Sequence, residues 1–337
     1  MRAAVLLLVL ASSSFVLTAQ TETLRLVSTA WPPFTNRPGQ ARFALDLVET
    51  ALGRIGVSST TAIVDASQFT TALLGGAFDG SAAAWKDPER EAALLFSQPY
   101  LENRLILVGR TGADVSATAL AALKGKRIAL VEGYSYGDGV DNAGPLYLRA
   151  KSEEDGMARL LAGAVDYVLM DEVVVQYIVD HHALEAKTKL QFGTTPLVTR
   201  PLYFVVRRSV PGAQGIIDRF NAQLRGMISD HTYHRLLHVD WIRADVDGDG
   251  LFEFVPGSDA PRTEPQRAYS LFSPTLEPST IKTPAASQAE STKPRFLVGG
   301  NIYQEWASVP DNYKLTGAEQ MMPNPARSTG TVFRFVW

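Results

Sequence analysis

The alternation of two periodicities along residues 23–243 constrains the fold of this chain more than any other feature. "TLRLVST", from Thr23, alternates as a strand does, and "WPPF" ends it in a turn. "ALDLVETALGRIG" then switches to helical spacing at Leu45, Val48, Leu52 and Ile55, and Gly56 is placed to stop the helix. "SSTTAIV" is expected as a second strand and "SQFTTALLGGAF" as a second helix with Ser67 as its N-cap. Further on, "LILVGR", "RIALVEG" and "RPLYFVVRRSV" read as strands. "EEDGMARLLAGAVDYVLMDE" reads as a helix running into a buried strand. Closing helices follow, with Ile216, Phe220, Leu224 and Ile228 inward. Strand–helix alternation of this kind predicts α/β layers and mostly parallel sheet. No internal repeat is visible.

A chain of 337 residues, 46% of them hydrophobic, can bury one or two sizeable cores. A formal net charge of -3 argues against a nucleic-acid partner, which needs a clustered basic face. There is no cysteine, so disulfides, thiol nucleophiles, thiolate metal sites and a lipid-modified cysteine are all excluded. Residues 1–20, "MRAAVLLLVLASSSFVLTAQ", read as a secretory signal peptide with cleavage near Ala19 or Gln20; a retained anchor is the alternative. The expected location is therefore the periplasm, with no transmembrane span once the signal is removed.

Composition shifts after Asp245. Asp245, Asp247, Asp249, Gly250 and Glu253 follow D-x-D-x-D-G-x-x-E, so residues 244–256 are a candidate Ca²⁺ loop with the Leu251 carbonyl as a further oxygen. Pro256 stands where a full EF-hand loop needs a bidentate Glu, and a solvated acidic linker is the competing reading. Residues 257–294 carry Pro261, Pro265, Pro274, Pro278, Pro284 and Pro294 among Ser, Thr and Ala, and read as a linker. Residues 295–337 form a β-like tail of unknown role. In it, residues 295–303 and 330–337 are expected to pair with each other or with an edge of the body. His231, His234 and His238 share one face of a helix and could hold Zn²⁺, against a plain exposed amphipathic helix.

Ala83 to Tyr100, "AAWKDPEREAALLFSQPY", poses the functional question. It sets a lone Arg90 among acids, near Trp85 and just after Pro88. The plain reading is a helix start, with Glu89 and Glu91 complementing the dipole and Arg90 solvated.

Six strings in order, "WPPF", "ALLGGAFDG", "DPEREAALLFSQPY", "LKGKRIALVEG", "LLAGAVDYVLMDE" and "HTYHRLLHVDW", make residues 24–243 resemble the periplasmic solute-binding proteins of family 3. These are the polar amino-acid receptors of ABC importers. The resemblance implies two α/β lobes joined by two hinge strands, with the ligand cleft between them. Residues 21–110 and 199–243 would form lobe 1, and residues 111–198 lobe 2. Hinge motion would centre near Leu105–Gly109 and Leu202–Val206. Arg90 would take the ligand carboxylate bidentately, which suits a planar fork. Asp171 would take the ligand ammonium, its competing role being an N-cap for the helix that follows. Gly133, Tyr134 and Ser135 would offer backbone N–H groups. Trp31 and Phe34 would form the aromatic wall, with core packing as the alternative.

The departures bear on the ligand. Trp85 stands where the family has Thr or Ser, and Asp87 where it has Thr. The "G-F-D-V-D-L" string appears as Arg42 to Leu47 without its glycine and first acid. Trp85 reshapes the pocket, so that an aromatic or cyclic acid would also suit Arg90. The expected function is capture of a small carboxylate-bearing solute, an amino acid first, for an ABC permease, without catalysis and without a required cofactor. The alternatives are an enzyme of the cyclohexadienyl dehydratase type, with Glu172 as its candidate acid, and a sensory or envelope-associated binding module.

Overall fold

The computed structural model describes residues 23–314, apart from 182, 248, 250, 261, 266, 267 and 272–293. The signal segment 1–20, the central part of the Pro-rich stretch and the strand expected at 330–337 lie outside the described residues.

The chain runs β1 (Thr23–Thr29), α1 (Phe43–Arg54), β2 (Ser58–Val64), α2 (Ala66–Leu74), β3 (Gly80–Ala84), α3 (Pro88–Ala93), β4 (Leu94–Phe96) and β5 (Leu101–Arg110). It continues with β6 (Arg127–Val131), α4 (Asp138–Asp141), β7 (Leu146–Ala150), α5 (Glu153–Leu161), β8 (Tyr167–Asp171), α6 (Glu172–His181), α7 (Ala183–Lys189) and β9 (Leu190–Phe192). Then come β10 (Val198–Arg207), α8 (Ala213–Ser229), α9 (Thr232–Leu237), β11 (Trp241–Ala244), β12 (Glu253–Pro256), β13 (Tyr269–Ser270), β14 (Arg295–Val298) and β15 (Asn301–Tyr303).

The first ten strands form one sheet in the order β2-β1-β3-β10-β5-β8-β6-β7, with β4 added to β10 and β9 to β5. β1 runs parallel to β2 and β3 in lobe 1, and β6 runs parallel to β7 and β8 in lobe 2. The chain passes to lobe 2 along β5 and returns along β10. These two strands pair antiparallel where they cross, Leu101–Leu105 against Val198–Leu202. Beyond the crossing, β5 joins β8 and β9, while β10 joins β3 and β4. The crossing therefore lies upstream of the hinge segments expected from the sequence. The polar run Glu102–Arg104 delays the apolar signal of β5, but strand pairing uses the backbone, which is indifferent to side-chain polarity.

Local sequence explains the elements. α1 buries Leu45, Leu47, Val48 and Leu52 against lobe 1, and each such leucine contributes about 2 kcal/mol. Asp87 caps α3, its Oδ1 accepting from Arg90 N at 2.8 Å, and Pro88 supplies the preset first helical φ. The Ser67 cap expected for α2 is not found. That helix starts at Ala66 behind Asp65, and Ser67 lies inside its first turn. The zinc reading of the histidines also fails, because they do not share a helix face. His231 sits at φ 60° between α8 and α9, His238 ends α9 at φ 54°, and His234 is buried with Nε2 3.0 Å from Val255 O. Burial holds the His234 pKa down at about 4.

The region after Trp241 departs most from expectation. β11 and β12 form a hairpin around the acidic loop, and β13, β14 and β15 extend it into a separate sheet, β13-β11-β12-β14-β15. Tyr269 and Leu271 are buried in the main core, so this part of the expected linker belongs to the body. Residues 295–303 instead form a hairpin of their own, β14 with β15, whose β14 also pairs with β12, while the other expected partner, 330–337, lies outside the described residues. No described helix is long and apolar enough to cross a membrane.

Candidate functional site

Arg90 is not solvated: it is 2% exposed. Its Nη1 donates to Trp85 O at 3.0 Å and its Nη2 to Thr70 Oγ1 at 3.0 Å. Nε lies 3.3 Å from Asp87 Oδ2, and the ring of Phe69 lies 5.4 Å away. Burial lowers the guanidinium pKa, and the Asp87 and Glu89 charges oppose that shift. Asp87 thus caps α3 and also braces Arg90.

Arg90 borders a cavity of about 30 Å³ between the lobes, which Ser28, Thr29, Trp31, Ala83, Trp85, Tyr134 and Ser135 also line. Trp31 stacks on Phe34 with ring centres 4.4 Å apart, and Phe34 itself is fully buried behind it. Trp85 meets Trp31, Tyr134 and Tyr136 edge-on at 5.9, 5.7 and 5.4 Å. A space this size holds about one water molecule. An amino-acid-sized ligand can enter only if the lobes part or the rings turn.

The lobe 2 loop closes the other side. Gly133 adopts φ 79° and lies so near α2 that a Cβ would stand 2.3 Å from Ala66 O, so a side chain there cannot be accommodated without moving backbone. Gly133 O is 3.4 Å from Thr70 Oγ1 and 3.5 Å from Arg90 Nη2. Tyr134 Oη is 3.3 Å from Thr29 Oγ1. In this loop the Gly133 and Ser135 groups that meet lobe 1 and the crossing strand are carbonyl acceptors, where N–H donors were expected.

Asp171 is placed differently from expectation. It ends β8, is 1% exposed and does not border the cavity. Its Oδ1 caps α6 by accepting from Val173 N at 2.7 Å. Its Oδ2 accepts from Asn103 Nδ2 at 3.1 Å and Arg104 N at 3.0 Å. Burial, then the Glu172 charge, pushes its pKa up to about 7 against these hydrogen bonds. The N-cap role is therefore realised, and Asp171 reaches the cleft only through Asn103, whose Oδ1 accepts from Trp85 Nε1 at 2.8 Å. Glu172 forms an ion pair with Arg104, Oε1 to Nε 3.1 Å, and does not line the cavity.

Three residues escaped the sequence reading. Asn103 is fully buried on β5 between inward Leu101 and Leu105; a polar residue at an inward position of an alternating strand was the available signal. Arg200, before Pro201, donates through Nη2 to Lys86 O at 2.8 Å and Ser135 O at 3.0 Å, and lies 5.7 Å over the Trp85 ring. Glu153 opens α5 in an acidic first turn with Glu154 and Asp155, where a carboxylate complements the helix dipole. It is buried, its Oε2 has no hydrogen-bond partner among the described residues, and burial pushes its pKa up to about 8.

At the acidic loop a side-chain cation sits among the carboxylates. Arg295 of β14 reaches Asp247 Oδ2 at 3.0 Å, Asp249 Oδ2 at 2.6 Å and buried Glu253 Oε1 at 3.0 Å. Asp245, Asp247 and Glu253 offer oxygens within 4.8 Å of one another, close enough to gather round an ion, but Ca²⁺ would compete there with Arg295. Leu251 N donates to Asp249 Oδ1 at 2.8 Å, which shapes the turn.

Comparison with known proteins places this geometry. The model of "Bacterial extracellular solute-binding proteins, family 3" matches residues 25–243. The ABC transporter arginine-binding protein 1 of Escherichia coli (strain K12) is 28% identical over 155 residues, which is 44% of this chain and 60% of that protein. The chain thus matches less than two thirds of that relative's length. An ancestral arginine-binding protein, solved bound to glutamine, is 26% identical with a TM-score of 0.54, over 64% of this chain and 96% of that one. An arginine-binding protein mutant from T. maritima, 22% identical with a TM-score of 0.54 over 64% of this chain and 93% of that one, shares the fold. With two lobes, two crossing strands and Arg90 at the cleft, the chain belongs to the bacterial extracellular solute-binding proteins of family 3.

Proposed function

We propose that this protein captures a small carboxylate-bearing solute of the amino-acid class outside the cytoplasm, by closing two lobes on it, and delivers it to an ABC-type permease. The observation that carries this reading is the buried Arg90 fork at the inter-lobe cavity. Trp85 O, Thr70 and Asp87 hold the guanidinium rigidly while it still borders the space a carboxylate would enter. The arginine- and glutamine-binding relatives support the ligand class. The small cavity supports a closing motion about β5 and β10, because a ligand must be admitted before the rings pack round it. Binding alone accounts for the site, and no catalytic step is invoked.

The test is a thermal-shift panel of amino acids and aromatic acids on the full chain, followed by calorimetry on Arg90→Lys. A ligand that binds the folded form must raise the melting temperature. Arg90→Lys keeps the charge but loses the bidentate fork, and should weaken binding by roughly 1–3 kcal/mol. Unchanged affinity in that variant would remove Arg90 from the binding site.

A further inference from the structure

We propose that Arg200 is the latch of the cleft, a single guanidinium on a crossing strand that ties the facing loops of both lobes. The proposal rests on the closing motion proposed above. Arg200 lies on β10 opposite Asn103 of β5, at the place where the two strands cross. From there its Nη2 donates to Lys86 O of lobe 1 at 2.8 Å and to Ser135 O of lobe 2 at 3.0 Å. The Trp85 ring lies 5.7 Å below the guanidinium, a cation–π distance that orients the fork. Nη1 stands 2.9 Å from where a Cβ on Gly137 would be, so the lobe 2 loop is shaped around this side chain.

Geometry makes these contacts the ones an opening cleft must break. Lys86 and Ser135 belong to lobes that separate on opening, and one nitrogen cannot follow both carbonyls. The other polar contacts described between the facing loops are longer: Tyr134 Oη to Thr29 Oγ1 at 3.3 Å, and Gly133 O to Thr70 Oγ1 and Arg90 Nη2 at 3.4 and 3.5 Å. The Arg200 bonds are also charge-assisted and half-buried, which strengthens them relative to the neutral Tyr134–Thr29 and Gly133–Thr70 contacts. Loss of the latch should therefore favour the open arrangement.

The absence of native cysteine allows a clean measurement. Thr60→Cys in lobe 1 and Leu161→Cys in lobe 2 place spin labels at exposed positions, and pulsed electron–electron resonance on the full chain reads the distance between the lobes. Arg200→Ala should move population to longer distances, and Arg200→Lys should move less. Arg208→Ala, which removes an exposed arginine bonded to Glu91 O, should leave the distribution unchanged. Melting temperatures of each variant separate a shifted cleft from a damaged fold. Superposition of the Arg200→Ala and wild-type distributions overturns the latch. The receptor reading is judged separately on the wild type. It stands if a member of the amino-acid and aromatic-acid panel narrows the distribution. It falls if none does, and the latch falls with it.

Discussion

Glu153→Gln isolates one buried proton beside the cleft. The Glu153 carboxyl is pushed from 4.5 up to about 8, first by burial and then by the Glu154 and Asp171 charges. Between those two values the unfolded chain has lost the proton that the folded chain keeps. The folded state then binds more protons, and stability must fall as pH rises, by about 1.4 kcal/mol per pH unit. From about pH 6 to about pH 7.5 this amounts to about 2 kcal/mol. Glutamine keeps the shape of the side chain and cannot ionise, so the variant should lack this part of the slope. At about pH 5 both side chains are neutral when folded, and the two proteins should differ least. Urea unfolding of the full chain at a series of pH values provides the assay. Asp171 and Glu102, whose pKa values burial also raises to about 7, remain in both proteins, so the difference in slope reports Glu153 together with its charge coupling to Asp171. Parallel pH profiles for wild type and variant would refute the argument, because they would mean that the carboxyl ionises as freely folded as unfolded.

Asp171→Asn should destabilise the fold by about 1–3 kcal/mol, since an amide cannot satisfy Val173 N, Arg104 N and Asn103 Nδ2 together. Ligand affinity measured by calorimetry should change little, and a large loss at unchanged stability would instead put a ligand ammonium on this carboxylate. Trp85→Thr should cost about 3–5 kcal/mol through the cavity it leaves, and should enlarge the set of acids that shift the melting temperature. A panel response identical to wild type would show that Trp85 does not limit ligand size. Arg295→Met leaves Glu253 buried and unpaired, a loss of roughly 3–5 kcal/mol. Ca²⁺ should then raise the melting temperature of the variant more than that of wild type, and equal responses would argue against cation binding at the loop. Truncation after Lys293 removes Arg295 with β14, so it should destabilise the acidic loop similarly while the remaining folded protein keeps its ligand affinity.

The elements of residues 23–243 were legible because their signals are local. A period of two or 3.6 is set by neighbours in the chain, as the α1 face at Leu45, Val48 and Leu52 illustrates. Asp87, Pro88 and Arg90 lie within one turn, so a capped helix that presents a guanidinium was readable from their order. Partnership across the fold was not readable. Asp171 carries the same sequence signal whether its carboxylate faces a ligand or a backbone, and the neighbouring β5 decided for Asn103 and Arg104. The acidic loop invites a cation by its spacing alone, yet the guanidinium nearest it comes from Arg295, more than forty positions along the chain. Tyr269 lies in a stretch whose composition suggests a linker, but its hydroxyl donates to Glu102 O on the crossing strand and its ring is buried. Composition measures what a segment can bury by itself, whereas burial also depends on what another segment brings to it. Arg200 is the clearest case: nothing in "VTRPLYF" distinguishes a surface arginine from one that spans two lobes. Only the antiparallel crossing of β5 and β10 sets its guanidinium over Trp85, between Lys86 and Ser135.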